Sequence, residues 1–553
     1  MPLTVSSLLE RARSLAASEE LRRAPGWIGW LVVGALVVVA GMVRFHLPPV
    51  AIAEWDSWGW LHPALSWIGG AGFREEYERE WLYGAFIALG LGVTGSFAGY
   101  IVIQQALGLA AGVIMWLTWR RWVSLFPRGL ALETGSTVVG VYLVALYLFN
   151  PVTMTLELSI RPEAIMAFVA LLQLFCVVSF CKFRWQERNV MACVIFGALS
   201  LPLAWAMYVL KPNWALAVPA TVLPVFLGMF GKTPSTSLRY LPPAAGVALI
   251  VLTLWLPDKL LFIRTSQTRM VLPMTLFTIH ADIIHKSLAG ELQSPETAEE
   301  RRTFLRGVLP LLDREIAAAK AEKLSYPRIG FDPDYLMYRS PLFPVLGSEF
   351  GLTPKEIAAF CRQSFVSAVL RQPADYARKV SAQMGYFFFP DDGTFFRKRV
   401  ELAEVYTNSL KTVPAALDGP LSACTQVLYD EYLTDLKHEA ATAGEIHAVR
   451  SFRKFLTGAK SLTSVIVALF LLALAACFAG KPLHVLRLPG LVALVIFSAP
   501  FGNALTVAMV HALDNSRYRG SYGPLLLFAL GVFLLFSLVA AAYSAASLGR
   551  VRR

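Results

Sequence analysis

Long apolar runs occur at ten places in the chain, and they constrain the fold more than any other feature. Each run approaches the roughly 20 residues that an α-helix needs to cross the hydrocarbon core of a bilayer. The sequence therefore predicts an all-α polytopic membrane protein with about ten transmembrane helices. The runs are 27–43, 97–118, 133–150, 163–181, 190–208, 213–230, 241–257, 461–479, 488–510 and 524–546.

The composition agrees with a membrane protein rather than with a soluble one. Hydrophobic residues make up 56% of the chain and charged residues only 16%, whereas soluble domains carry about 25% charged residues. The net charge is +12, but the basic residues cluster between apolar runs and form no continuous stripe, so we expect a lipid bilayer and no nucleic acid as partner. Residues 1–26 contain no small-residue cleavage site, which favours a cytoplasmic segment before a retained first helix.

The basic residues are concentrated in alternate loops, which indicates one orientation of the chain in the membrane. Cytoplasmic loops carry an excess of Lys and Arg, so this asymmetry predicts cytoplasmic N- and C-termini in a multi-pass protein of the inner (plasma) membrane. The loops assigned to the cytoplasm contain Arg11, Arg13, Arg22, Arg23, Arg120, Arg121, Arg128, Lys182, Arg184, Arg188, Lys232, Arg239, Lys481 and Arg487.

This orientation divides the chain into modules. An N-terminal transmembrane module, 27–257, contains an outer loop at 44–96, and a C-terminal transmembrane module covers 461–553. Between them, 258–460 is long enough for one external, periplasmic domain. Helix-start signals at Ser294-Pro295-Glu296, Thr353-Pro354 and Gln372-Pro373 predict that this domain is mostly helical.

Cys361 and Cys424 are the two cysteines of the predicted external domain. An oxidising periplasm would permit a disulfide between them. Two free buried thiols fit the sequence equally well, so the sequence leaves their pairing open.

The acidic triplet Glu54-Trp55-Asp56 follows the first apolar run, at a predicted membrane–water boundary. Trp58 and Trp60 next to it suit such a boundary, but acids beside lipid are costly unless they have a task. A charged loop followed by an interfacial helix near Trp81 is the ordinary interpretation of this region. A catalytic or binding site is the alternative.

Cations in the short outer turns favour a site. Arg161, Lys211 and Arg517 each lie in a different short turn, at the same predicted depth as the acids of 44–96. Each alone is typical of a boundary residue that extends its charge toward water. Together with the acids they suit an anionic lipid headgroup, such as a phosphate, beside a general base.

Several motifs, in their order along the chain, resemble the GT-C class of lipid-phosphate-dependent glycosyltransferases, which includes protein O-mannosyltransferases and the aminoarabinose transferase of lipid A. The resemblance covers roughly 44–260 and 460–546. The motifs are Arg79-Glu80-Trp81-Leu82-Tyr83, Gln104-Gln105-Ala106-Leu107-Gly108, Trp119-Arg120-Arg121, Leu148-Phe149-Asn150-Pro151, Arg161-Pro162-Glu163-Ala164 and Arg517-Tyr518.

The sequence departs from that family at two places. Trp81-Leu82-Tyr83-Gly84 replaces the family's frequent Pro-Pro-Leu-Tyr-Pro, and Glu54-x-Asp56 replaces an adjacent pair of acids. The acceptor and any metal requirement therefore stay open.

The resemblance implies transfer of a sugar from a polyprenyl-phosphate donor to a hydroxyl of a glycan, lipid or protein acceptor, with inversion at the anomeric carbon. Asp56 would be the general base. Glu54 would orient Asp56, make it a stronger base by like-charge repulsion, or help to hold a cation. No cofactor is certain, and a divalent cation stays open. The donor phosphate would be bound by Arg79, Arg161, Lys211, Arg517 and Tyr518.

His280-x-Asp282-x-x-His285 contains residue types that bind metals, but on a helix its two histidines lie about 140° apart. These three residues are therefore weak metal candidates. They fit better as ordinary residues at the start of the external domain, or as a contact to substrate. For the whole chain, a transporter or lipid flippase, a polysaccharide polymerase of the cell envelope that uses diphosphate-linked donors, and a sensor or scaffold are the alternative functions.

Overall fold

The computed structural model is almost entirely α-helical. It describes residues 19–73, 79–127, 129–228, 271–322, 326–388, 399–415, 417, 423–512 and 516–551. Within these ranges the sheet structure is limited to two short antiparallel strands, β1 (Arg399–Glu401) and β2 (Glu445–His447), and one isolated parallel bridge. The predicted all-α fold is confirmed.

The N-terminal helices follow one another with short connections. In chain order they are α1 (Glu19–Phe45), α2 (Trp58–Ile68), α3 (Trp81–Thr94), α4 (Phe97–Val123), α5 (Leu130–Leu148), α6 (Pro151–Glu157), α7 (Glu163–Lys182), α8 (Val190–Leu210) and α9 (Ala217–Leu227). A π-helical turn, Phe183–Glu187, follows α7, and a 3₁₀ turn, Pro212–Trp214, precedes α9.

The later helices comprise a group of shorter ones and three long apolar ones. They are α10 (Val271–Ile279), α11 (Ala281–Gln293), α12 (Glu299–Ala321), α13 (Leu342–Ser348), α14 (Pro354–Arg371), α15 (Pro373–Phe388), α16 (Leu402–Leu410), α17 (Ala423–Thr442), α18 (Arg450–Ala479), α19 (Arg487–Val510) and α20 (Ser516–Val551).

Eight helices of the described chain are long and apolar enough to cross a membrane. They coincide with eight of the ten predicted runs, so the polytopic architecture is confirmed. The run at 213–230 is different, because its described residues, which end at 228, form part of a 3₁₀ turn and the 11-residue helix α9. At 1.5 Å per residue, α9 is about 16 Å long, which is too short for a bilayer core of about 30 Å. The run at 241–257 lies outside the described residues.

The chain separates into two compact units. The first contains described residues of 1–249, 392–502 and 520–553, and the second those of 250–391 and 503–519. The predicted external domain, 258–460, was defined by its position relative to a membrane, and that boundary stays a prediction. By internal contacts, α16 and α17 group with the first unit.

The second unit is a helical assembly around an apolar core. Phe277, Leu305, Leu312 and Phe360 are among its buried residues. The predicted helix starts are confirmed in α14 and α15. The start predicted at Ser294-Pro295-Glu296 is wrong in position, because Ser294 caps the end of α11 and α12 begins only at Glu299. At α14, the side chain of Thr353 accepts from the backbone of Glu356 while the Glu356 carboxylate accepts from the backbone of Thr353, so the two residues satisfy each other's free amide groups.

A buried ion pair joins the end of α1 to α6 in the first unit. Arg44 Nε lies 2.6 Å from Glu157 Oε2, and Arg44 Nη2 donates to Glu157 Oε1 at 3.0 Å. Arg44 Nη1 also donates to the carbonyl of Leu148 at 2.7 Å. Both charged side chains are almost fully buried. Because such a pair is stable only with good geometry and further hydrogen bonds, it fixes α6 against α1 in one arrangement.

Gly108 on α4 provides the space for this pair. A Cβ at that position would lie 2.0 Å from Glu157 Oε1. Its backbone carbonyl also accepts a hydrogen bond of 3.1 Å from the hydroxyl of Tyr147. The glycine is therefore required for close approach of α4 and α6.

We predict that Glu157→Gln strongly destabilises the protein, by about 3–5 kcal/mol, because Arg44 would keep a buried charge without its counter-charge. The matched control is Glu133→Gln, which removes the acid of the partly exposed Arg120–Glu133 pair and should cost about 1 kcal/mol or less. Denaturant or thermal unfolding of the purified protein in detergent measures both. Equal losses in the two variants would contradict a structural role for the buried pair.

Candidate functional site

The backbone before the acidic triplet is fixed by a short parallel bridge. Ile52 N–H donates to the carbonyl of Leu158, and Ile160 N–H donates to the carbonyl of Ile52, both at 2.8 Å. The bridge therefore places the segment before Glu54 beside the α6–α7 turn, which carries Arg161.

A buried polar cluster on α3 and α4 holds the α6–α7 turn in place. Gln104 Nε2 donates to the carbonyls of Glu157 and Ser159, at 3.0 and 3.2 Å. The Gln104 side-chain oxygen accepts from the hydroxyls of Tyr83 and Tyr100, both at 2.9 Å. Burial raises the pKa of Tyr83, so its hydroxyl stays protonated and can donate. The cluster satisfies backbone carbonyls that would otherwise be buried without partners.

Asp56 lies against Arg79 at the entrance to α3. Arg79 Nη2 donates to Asp56 Oδ1 at 2.6 Å, and about a quarter of each side chain is exposed. The guanidinium also lies over the Trp60 ring, 5.2 Å from its centroid. Gly59 permits this placement, because a Cβ there would lie 2.6 Å from Arg79 Cγ. Asp56 is thus accessible and held beside a positioned cation.

Glu54 belongs to a second charged group. Arg161 Nη1 donates to Glu54 Oε1 at 2.6 Å, and Arg161 Nη2 donates to Glu163 Oε1 at 3.2 Å. Lys211 Nζ donates to the same oxygen of Glu163. The Glu163 side chain is 1% exposed and that of Arg161 is 6% exposed, whereas that of Glu54 is 43% exposed. A buried acid therefore holds two cations from different turns beside an accessible acid.

The site consequently brings together five residues that the sequence predicted: Glu54, Asp56, Arg79, Arg161 and Lys211. A surface with accessible carboxylates next to oriented cations can accept a proton and bind an anion at adjacent positions.

Arg517 and Tyr518 belong to the second unit. Tyr518 is buried there and its ring packs against His511, with 4.7 Å between centroids. The side chain of Arg517 lies outside the described residues. The predicted role of these two residues in binding the donor phosphate stays a prediction.

The three weak metal candidates have separate partners in the second unit. His280 Nε2 lies 2.9 Å from the carbonyl of Met509, and burial lowers the His280 pKa to about 4. Asp282 pairs with Lys379 at 3.0 Å, and His285 lies 2.9 Å from Asp313. Over the part of the chain that the structure describes, no group of three His, Cys, Asp or Glu side chains is arranged to hold a metal.

Cys361 is a free, fully buried thiol in the core of the second unit. Burial raises its pKa, so it is a poor nucleophile. The side chain of Cys424 lies outside the described residues.

The sequence reasoning did not assign a role to two acids that the structure shows to be buried and ion-paired. Glu163 was part of a quoted motif, and Glu157 is the lone acid of α6. A single acid in a largely apolar stretch is costly without a partner, and this signal would have indicated a nearby cation. It would not have identified Arg44 or Lys211 as that cation.

An apolar groove lies along α3, which begins two residues after Arg79. It has a volume of about 470 Å³ and is lined by Trp67, Phe73, Trp81, Ala85, Ala88, Leu89, Gly92 and Val93. Leu89 and Val93 on its wall are largely exposed. This lining suits a hydrocarbon chain.

No protein-family model matches the chain, and no curated protein matches it. Among solved structures, a crystal structure of ArnT from Cupriavidus metallidurans bound to undecaprenyl phosphate is similar, with a TM-score of 0.33 and 13% sequence identity. The similarity covers 92% of this chain and 78% of that chain. A likeness of this degree identifies neither a family nor a substrate for this chain.

We predict that Glu163→Gln destabilises the protein far more than Glu54→Gln, although both acids contact Arg161. The first change leaves two largely buried cations without their shared counter-charge and should cost about 3–5 kcal/mol. The second removes a half-exposed acid and should cost about 1 kcal/mol or less. Thermal unfolding in detergent compares the two variants. A smaller loss in Glu163→Gln than in Glu54→Gln would contradict the role of Glu163 as the buried centre of this group.

Proposed function

We propose that the protein is an integral membrane glycosyltransferase that moves a sugar from a polyprenyl-phosphate donor to an acceptor hydroxyl at the outer face of the membrane. The observation that supports this most directly is the pairing of two accessible acids with cations, Asp56 with Arg79 and Glu54 with Arg161, while the buried Glu163 holds Arg161 and a third cation, Lys211. The motif order that resembles GT-C transferases points to the same chemistry. Such a reaction requires a base and an anion site a few ångströms apart.

In the proposed reaction, Asp56 removes the proton of the acceptor hydroxyl. The acceptor oxygen then bonds to the anomeric carbon while the bond between that carbon and the phosphate oxygen breaks. The bonding electrons leave with the phosphate, and the proton stays on the Asp56 carboxylate. A single displacement of this kind inverts the anomeric configuration. General-base assistance typically contributes about 10²–10⁴-fold to the rate.

The leaving phosphate gains negative charge in the transition state, and the proposed stabilisers of that charge are Arg79, Arg161 and Lys211. Their acid partners hold them in place before the donor binds. Cations that are already oriented stabilise a developing charge without further rearrangement. Arg517 and Tyr518 are retained as proposed contacts to the same phosphate.

Glu54 accepts a hydrogen bond from a guanidinium nitrogen of Arg161 that a phosphate oxygen would use. Donor binding would therefore displace Glu54 from Arg161. Glu163 would stay in place, because its side chain is buried and shared with Lys211. We assign the apolar groove along α3 to the lipid chain of the donor, since its lining is hydrocarbon.

The proposed orientation places both termini in the cytoplasm of a cell with this protein in its inner membrane, and 258–460 outside. The sugar, the acceptor (a glycan, lipid or protein) and a divalent cation remain open parts of the proposal. A flippase would move the polyprenyl-phosphate sugar without breaking its anomeric bond, and a polymerase would consume diphosphate-linked donors. Analysis of the products therefore separates all three functions.

We predict that Asp56→Asn abolishes sugar transfer, with a loss of at least about 10²-fold, while the protein stays folded. The matched control is Asp430→Asn, which makes the same change in an accessible acid of α17. The measurement incubates each purified protein with a panel of polyprenyl-phosphate sugars and follows donor consumption and free polyprenyl phosphate. Near-normal turnover by Asp56→Asn would show that another group is the base.

We predict that Glu54→Gln tightens binding of polyprenyl phosphate by up to about 10-fold, because a neutral amide competes less well than a carboxylate for Arg161. Glu133→Gln, far from the site in sequence, is the control. Binding of a short-chain polyprenyl phosphate to protein in detergent is measured by calorimetry, with and without a divalent cation. Weaker binding by Glu54→Gln, restored by the cation, would indicate that Glu54 holds a metal instead.

A further inference from the structure

The backbone that leads into the acidic triplet is also held by residues 399–415 and 423–442, named here the supporting segment. Ala53, directly before Glu54, has both of its backbone groups bound by this segment. Ser409 Oγ accepts from Ala53 N–H at 2.8 Å, and Thr412 Oγ1 donates to the Ala53 carbonyl at 3.2 Å. Two side chains around the end of α16 thus fix the residue that precedes the triplet.

Two buried tyrosines of the supporting segment extend this contact. The Tyr406 hydroxyl donates to the carbonyls of Pro48 and Val50, both at 3.3 Å. The Tyr432 hydroxyl donates to the Ala51 carbonyl at 3.1 Å. Burial raises the pKa of both tyrosines, so their hydroxyls stay protonated and remain donors.

The contacts alternate along the backbone in the manner of an extended strand. The two backbone groups of Ile52 bond to 158–160, while Ala51 and Ala53 bond to the supporting segment. The segment before Glu54 is therefore held from both sides. Since 50–53 is buried, a backbone group that loses its partner on either side is left unsatisfied, and the segment is expected to shift.

The supporting segment also contacts the neighbouring helices. The Tyr432 ring stacks on Phe97 at the start of α4, with 4.5 Å between centroids. The Tyr429 ring packs edge-on against Trp58, two residues after Asp56, at 6.1 Å. The supporting segment thus contacts residues both before the acidic triplet, at 50–53, and after it, at Trp58.

We propose that the supporting segment sets the position of Glu54 and Asp56, and that Ser409 and Tyr432 are positioning residues for the transfer reaction. This inference rests on the proposed function. Neither residue is placed at the phosphate cations or at the reacting atoms, so each acts only through the backbone of 50–53. A base displaced by about 1 Å can lose about 10²-fold in rate.

The test compares Tyr432→Phe and Ser409→Ala with Tyr429→Phe. The Tyr429 hydroxyl donates to the Pro414 carbonyl at 2.7 Å, within the supporting segment itself. The control therefore removes one buried tyrosine hydroxyl from the same helix and keeps its ring. For each variant the full-length protein in detergent is assayed for kcat, for binding of short-chain polyprenyl phosphate, for thermal unfolding and for amide hydrogen exchange of peptides covering 48–57.

We expect kcat to fall by about 10- to 100-fold in Tyr432→Phe and Ser409→Ala, while the Kd for polyprenyl phosphate changes by less than about twofold. Amide exchange at 48–57 should rise in these two variants and stay unchanged in Tyr429→Phe. Thermal unfolding identifies any variant that fails to fold. If one of the two variants fails to fold, Thr412→Val, which removes the hydrogen bond to the Ala53 carbonyl, is tested in its place.

Unchanged exchange at 48–57 in both variants overturns the inference, whatever the activity. Equal kcat in Tyr432→Phe and Tyr429→Phe also overturns it. Raised exchange, in a protein whose unmodified form consumes no polyprenyl-phosphate sugar, supports the positioning of the acidic triplet and contradicts the proposed transferase. The two failures are therefore distinguishable.

Discussion

The buried Arg44–Glu157 pair is the interaction on which the arrangement of the first unit depends. It joins the end of the first long helix to α6, in a space that exists only because Gly108 lacks a side chain. The pair fixes the start of the α6–α7 turn, and that turn carries the backbone that pairs with Ile52. Glu54 and Arg161 therefore come into contact through backbone that a buried charge pair holds in place.

Side chains also satisfy buried backbone groups around the site. Gln104 and its two tyrosines satisfy carbonyls of the α6–α7 turn, and hydroxyls of the supporting segment satisfy those of 48–53. Buried backbone groups must be paired, and here side chains supply the partners where regular secondary structure is absent. The most accessible side chains of the site are those of Glu54, Asp56 and Arg79, whereas the side chain of Glu163 is buried. A fixed backbone that carries accessible charged side chains suits the positioning of a reactive group.

Much of the fold followed from hydrophobic patterning. Eight apolar runs became helices of membrane-spanning length, and the helix starts of α14 and α15 were recognisable from their proline and flanking polar residues. The run at 213–230 stays a prediction as a membrane span, because composition gives an apolar window but not the place where a helix begins or ends. In the structure α9 ends at Leu227, after only 11 residues.

The sequence alone determined that this is a polytopic helical protein, and it singled out Glu54, Asp56, Arg79, Arg161 and Lys211 as one group, since charges at equivalent turns must lie at similar depth in a membrane. The predicted group also contained Arg517 and Tyr518, whose role stays a prediction. The sequence could not determine the pairing within the group. Only the tertiary structure joined Asp56 to Arg79 and Glu54 to Arg161. Only it revealed Glu163 as the buried partner of Arg161 and Lys211, and the supporting segment as a support for the acidic triplet. Hydrophobic periodicity is a local property of the chain, whereas ion pairs and side-chain hydrogen bonds join residues up to several hundred positions apart and depend on how the helices pack.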